Sequence, residues 1–210
     1  MATRRKPARP PRADAARNRE LILAAAEVEF ATRGASAAVA DITRRAGVAK
    51  GTFFRHFATK DDLITAVVEP HMVALVTVAE ERLIADDPGA ALLEFLTVAA
   101  ARRQQQDISF LFRVDVAPPA VVELVDRFYG ALSGLVERAR TSGAVRADVT
   151  TADVMLLMCA PIHVVEYLPD AEPELWRRYL AIIFDGLRPQ GAHPLPRPAP
   201  SLPERPRTRR

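Results

Sequence analysis

Apolar residues recur along this chain at intervals of three and four, and polar, Gly and Pro breaks cut that recurrence into segments of helical length. Ile22, Ala25, Ala26 and Phe30 mark one face of a first helix over residues 14–33. Gly34 ends it, because a residue without Cβ accepts the left-handed turn that closes a helix. Glu29 falls on the apolar side, four residues after Ala25. Either the helix is rotated so that Val28 points inward, or the carboxylate meets a basic partner; a partly exposed ion pair without chemistry is the expectation. Two short helices follow, over residues 39–46 and 50–56, with Gly47 between them. Thr59 then suits the N-cap of a long amphipathic helix that opens on Lys60-Asp61-Asp62 and runs towards Leu83, with a kink or break expected at Pro70. Beyond Pro88 the spacing predicts helices over residues 89–106, 108–114, 119–142, 151–167 and 172–187. No alternating stretch is long enough to require a strand, and no internal repeat is present.

This pattern predicts an all-α fold in which a small N-terminal three-helix domain precedes a larger helical one. Composition agrees: 49% of the residues are hydrophobic, mostly Ala, Val and Leu, and only 6% are aromatic. The organisation read from it is a basic arm over residues 1–13, a helix-turn-helix domain over 14–63, a helical domain over 64–188 and a Pro/Arg-rich tail over 189–210. Arm and tail have almost nothing to bury and are expected to be disordered. The net charge is only +3, yet residues 4–19 carry seven arginines and lysines against Asp14 alone, and the tail is also basic. Such ends suit a polyanion or are simply solvated. The single cysteine, Cys159, forms no internal disulfide and supplies no structural zinc site, which fits a reducing compartment. Neither a secretory leader nor a membrane span is read in the sequence, so the expected location is the cytoplasm, without membrane partners.

The most informative stretch is Asp41-Ile42-Thr43-Arg44-Arg45-Ala46-Gly47-Val48-Ala49-Lys50-Gly51-Thr52-Phe53-Phe54-Arg55-His56-Phe57, followed by Thr59-Lys60-Asp61-Asp62-Leu63. Two short helices joined by a tight Gly-containing turn form a helix-turn-helix, whose second helix enters a major groove. Ile42, Ala46, Val48, Phe53 and Phe57 have the spacing to hold the short helices together. Lys50, Thr52, Arg55 and His56 are thereby left facing outward as hydrogen-bond donors, and Gly51 allows close approach of backbone to a duplex. One recognition helix covers too few bases to select a site, so a two-fold dimer on a pseudo-palindromic operator is expected.

These residues, with the first-helix pattern and Val67, resemble the tetracycline-repressor (TetR) family of regulators; the resemblance fades after Val67. It implies that Lys50, Gly51, Thr52 and Phe54 line the groove and that His56 and Lys60 grip phosphate; Arg44 and Arg55 complete the expected contact set. Ala37, Ala38 and Ala49 stand where hydroxyl residues often cap helices, so that a phosphate contact is lost or passes to Ser36. Phe54 replaces a typical Tyr, and the basic arm is a candidate to compensate for the missing contacts. The resemblance further implies a C-terminal domain that dimerises through its last two helices and binds a small-molecule effector that releases DNA. Candidate pocket residues are Phe95, Phe110, Phe128, Met155, Met158, Cys159, His163 and Trp176, which equally suit solid core; Phe112 and Tyr129 belong to the same aromatic group. Leu175, Tyr179, Ile182, Ile183 and Leu187 form the apolar face expected at a dimer seam. No cofactor or metal is implied. Cys159 and His163 lie four apart but lack an orienting group, which argues against an enzyme. A helical protein-interaction adaptor is the alternative, and it predicts no salt-dependent DNA binding.

Overall fold

In α1 (Pro11–Arg33) the residues Ile22, Ala25, Ala26 and Phe30 are all buried, and the helix passes into a 3-10 turn (Gly34–Ser36) that begins with Gly34 at a φ of +64°. The computed structural model describes residues 11–105, 108, 110–111, 114–165, 167–168, 170, 172–190 and 192–208. Helices α2 (Val39–Ala46) and α3 (Lys50–His56) stack on α1 and on each other, their bounds those expected from the sequence. Then come α4 (Lys60–Arg82), α5 (Pro88–Gln105), a two-residue strand β1 (Val116–Ala117), and α6 (Pro119–Thr141). The chain continues through α7 (Thr151–Leu157), α8 (Ala160–Val165), α9 (Trp176–Leu187) and a second short strand, β2 (Arg207–Thr208). The fold is all-α, with an N-terminal helix-turn-helix and a helical C-terminal domain.

Helix α4 joins the two halves. Its start packs on α1, and the rest packs on α5 and α6. A complete capping box fixes its beginning: the Asp62 amide donates to Thr59 Oγ1 at 3.1 Å, and the Thr59 amide donates to Asp62 Oδ2 at 2.8 Å. Pro70 does not break the helix. It lies on the exposed face, and buried Val67, Val68, Met72, Leu75 and Val76 hold the segments on both sides of it against the body. By length and hydropathy α4 is also apolar enough to cross a bilayer, which the sequence reading passed over; its apolar positions are spent in the core instead.

Helix α6 supplies the longest buried face of the body, with Phe128 6.3 Å from Phe95 of α5 and 6.0 Å from Tyr129, centroid to centroid. The expected single helix over 151–167 is two, interrupted at Met158 and Cys159, because Pro161 has no amide to bond the carbonyl one turn back. The last helix begins at Trp176 rather than at 172, after a run of turns. Its buried residues are Trp176, Leu180, Phe184 and Leu187. Leu187 therefore faces inward, whereas Leu175, Tyr179, Ile182 and Ile183 stay half or fully exposed as the outer face.

Two further expectations changed. Over 108–114 the described residues hold one turn, closed by the Leu111 amide on the Ile108 carbonyl at 3.0 Å, and the chain then extends into β1. The tail runs back over the body instead of leaving it: β2 pairs in parallel with β1, Val116 opposite Arg207 and Ala117 opposite Thr208. Long-range backbone pairing of this kind leaves no periodic trace in the sequence. Glu29 meets basic partners, as one of its two readings had it, but it is 4% exposed rather than partly open. Arg45 Nε reaches its Oε1 at 2.7 Å and Arg33 Nε its Oε2 at 3.6 Å, while Val28 faces solvent.

Candidate nucleic-acid interface

The turn between α2 and α3 is built by its backbone. Gly47 sits at a φ of +67°, and in that left-handed conformation its amide bonds the Arg44 carbonyl while the Val48 amide bonds that of Thr43. Any side chain at 47 would be strained, so the residue that reverses the chain is the one the motif requires. Phe53 anchors α3 from beneath, fully buried, with the rings of Phe54 and Phe57 at 5.1 and 5.9 Å. Arg19 of α1 lies 5.3 Å above the Phe57 ring and ties the first helix to the end of the third. The Glu29–Arg45 pair does the same between α1 and α2. A buried carboxylate held by two guanidinium groups fixes the angle at which α2 leaves α1.

With its inner face so anchored, α3 presents Lys50, Gly51, Phe54 and Arg55 to solvent, with Thr52 and His56 half-buried at the edges. Phe54 is 45% exposed, and the Lys50 ammonium lies 5.9 Å from its centre. Arg55 Nη2 donates to Thr52 Oγ1 at 3.0 Å, which orders two of the donors on one side. A Cβ built on Gly51 meets nothing within 4 Å, so the surface there is open to a close neighbour. Arg44 on α2 is largely exposed and shares Asp41 with Arg33, whose Nη1 lies 2.6 Å from that carboxylate. Sequence reasoning missed the Arg33–Asp41–Arg44 chain; the three-residue spacing of Asp41 and Arg44 was the available signal.

Two expected phosphate contacts have internal duties. The Lys60 ammonium donates to the Ala35 carbonyl, fastening the start of α4 to the turn ahead of α2. Ser36 is exposed on that turn, and its hydroxyl donates to the Arg33 carbonyl at 2.6 Å. Neither α2 nor α3 has a side-chain cap, since Ala38 and Ala49 hold the N-cap positions, and Ala37 is buried. The basic arm lies outside the described residues, apart from the start of α1.

Profile and fold comparisons agree with this geometry. The profile of bacterial regulatory proteins of the tetR family matches residues 22–67, and that of the C-terminal domain of SbtR-like transcriptional regulators matches residues 87–189. A TetR transcription regulatory protein from Mycobacterium vanbaalenii is 34% identical over 85% of this chain and 99% of its own, with a TM-score of 0.43. The chain belongs to the TetR family. The second match extends the relationship into the helical body, where the sequence reading found none. A gamma-butyrolactone receptor (21% identical, TM-score 0.58, 81% of this chain and 98% of its own) and a tetR-family protein from Rhodococcus RHA1 (16%, 0.58, 81% and 97%) share the fold. TetR-family proteins are DNA-binding transcriptional regulators, and α2 and α3 of this member lie within the matched helix-turn-helix region.

The residues read as an effector pocket do not form one wall. Phe95, Phe128 and Trp176 are wholly buried and Met155 nearly so; Met158 and Cys159 are half-buried at the break between α7 and α8. Phe110 belongs elsewhere, 5.2 Å from Phe30 of α1. His163 is exposed, with its Nε2 3.1 Å from Arg103 Nη2, and Phe112 lies outside the described residues.

Proposed function

We propose that this TetR-family protein is a cytoplasmic repressor that grips a two-fold-symmetric operator as a homodimer and releases it when a small molecule binds the helical body. The observation that carries the reading is the outer face of α3: Lys50, Gly51, Phe54 and Arg55 are exposed on a helix whose other side is locked by Phe53 and Phe57. Lys50 and Arg55 supply donors for guanine edges or phosphate, Thr52 a hydroxyl and methyl, and Phe54 an apolar surface for thymine methyl groups. Ser36, Arg44, His56 and Lys60 frame this face on the backbone side.

The homodimer is supported by apolar surface left uncovered at the other end of the molecule. Ile182 is 55% exposed on α9, Val164 42% on α8, and Leu168 47% beyond it, on two helices that pack against each other. A four-helix seam made of α8 and α9 from two copies covers them and sets two copies of α3 on one side of the duplex. The effector acts on the body beside Phe95, Phe128, Met155, Met158 and Cys159, and α4 carries the change to the reading half.

Selection of bound fragments from sheared genomic DNA, at two salt concentrations and with a Lys50→Ala, Thr52→Ala variant, tests this. The expected result is one or a few two-fold sites that the variant loses, with affinity falling steeply as salt rises. Diffuse binding that the variant retains overturns the reading.

A further inference from the structure

The stretch between α5 and α6 meets the reading half at one ring contact and faces it again across a cleft. Phe110 stacks on Phe30, and with Val114 and the end of α1 it lines a cleft of about 360 Å³. Further along, Pro118 to Ala120 face Arg19, Asp61 and Asp62 across a second cleft of about 680 Å³. Strand β1 lies between these two places, and residues 205–208 fasten it. The Arg207 amide donates to the Asp115 carbonyl at 2.7 Å, β2 pairs with β1, and Pro206 is buried. Arg205 Nη1 reaches Asp126 Oδ1 at 2.9 Å, and its guanidinium lies 5.4 Å above the Tyr129 ring on α6. Leu202 packs on the core, and upstream Arg146 donates to the His193 carbonyl.

We infer that residues 192–208 form a clasp that holds the 110–120 segment of the body against the reading half, and that its closure tunes operator affinity and the response to the effector. The functional part of this inference rests on the proposed repressor reading; the structural part does not. Each fastening is individually weak. A two-residue parallel pair is marginal by itself, and the Arg205–Asp126 pair is exposed and screened by salt. A clasp so made opens at small cost, which is what an element biasing two arrangements of a domain requires. Opening it frees the Phe110–Phe30 contact to slide.

Hydrogen exchange on the full chain, on a chain ended after Pro200 and on an Arg205→Ala variant decides the point. The expected result in both altered proteins is exchange about threefold or more faster in residues 30–36 as well as 114–120, with α3 unchanged. Faster exchange in 114–120 alone overturns the inference, because the tail then merely covers the body. No change in either region also overturns it, since the tail is then not seated. In parallel, the truncated chain is expected to bind a selected operator fragment about fivefold more weakly, within the usual range of coupling between sites. If neither chain binds any DNA, the repressor reading fails while the exchange result still judges the clasp.

Discussion

The two short helices of the helix-turn-helix and the helix that links them to the body begin in opposite ways. Linking helix α4 begins with a full capping box, Thr59 with Asp62, as does α7 of the body, Thr150 with Asp153. In the reading half, α2 and α3 begin on Ala38 and Ala49 with no side-chain cap. A cap contributes about 1 kcal/mol, so α2 and α3 give up stability that α4 and α7 keep. What the short pair keeps in exchange is first-turn amide groups without a side-chain acceptor, donors of the kind that can bond a phosphate oxygen. The reading half therefore depends on a few strong internal anchors, whereas the body spreads its stability over many contacts.

The largest test of that contrast is the anchor beneath α3. Phe53→Ala should cost about 3–5 kcal/mol and abolish operator binding, because the cavity lies in a three-helix unit with little else to hold it. Urea denaturation followed by hydrogen exchange checks it; a loss under about 1 kcal/mol would show that the small domain is not anchored there. Next in size is Glu29→Gln, expected to cost about 1–2 kcal/mol, less than a fully buried pair because Arg45 is half-exposed. Its thermal midpoint should fall, and an unchanged midpoint would mean that the α1–α2 angle is set by packing alone. Smaller still is a crossed pair of substitutions. Ala38→Ser and Ala49→Ser should each raise stability by up to about 1 kcal/mol, and Thr59→Ala should lower it by about as much. Equal and opposite shifts in urea midpoint sharpen the comparison; a loss from either serine variant breaks it.

The smallest effect is in the body. Burial, helped by the nearby Arg102 charge, lowers the pKa of His71 on α4. The unfolded chain then takes up the proton first, so the stability due to a neutral His71 is complete above its ordinary value of about 6.5 and declines as pH falls below it. His71→Gln should flatten the stability profile between roughly pH 7 and pH 5, and an unaltered slope would assign the acid sensitivity to other groups.

How legible each half was in the sequence follows the same division. The bounds of α2 and α3 could be read directly, since Gly47, Phe53 and Phe57 are each constrained by neighbours within a single turn or two. That Arg55 faces outward was legible in the same way, because helical spacing puts it opposite Phe53. Lys60 was harder: its partner, the Ala35 carbonyl, lies a helix away, and nothing local announces it. In the body the misreadings have one cause. Phe110 was grouped with Phe95 and Phe128 because an apolar residue does not declare which surface it meets; the cleft it lines is shared with Phe30 of the other half. The break at Met158 was signalled by Pro161, whose effect on the preceding turn outweighed the apolar period. The tail was the least legible segment, for its composition is that of a solvated chain and its seating depends on Asp126, Tyr129 and the backbone of β1.

The place of β2 in the chain has a consequence for synthesis. Thr208 leaves a ribosome only after all of α6 to α9, which separate it from its partner strand. The helix-turn-helix emerges long before then. A nascent chain that has not yet reached Arg207 is thus a reader whose latch has not arrived.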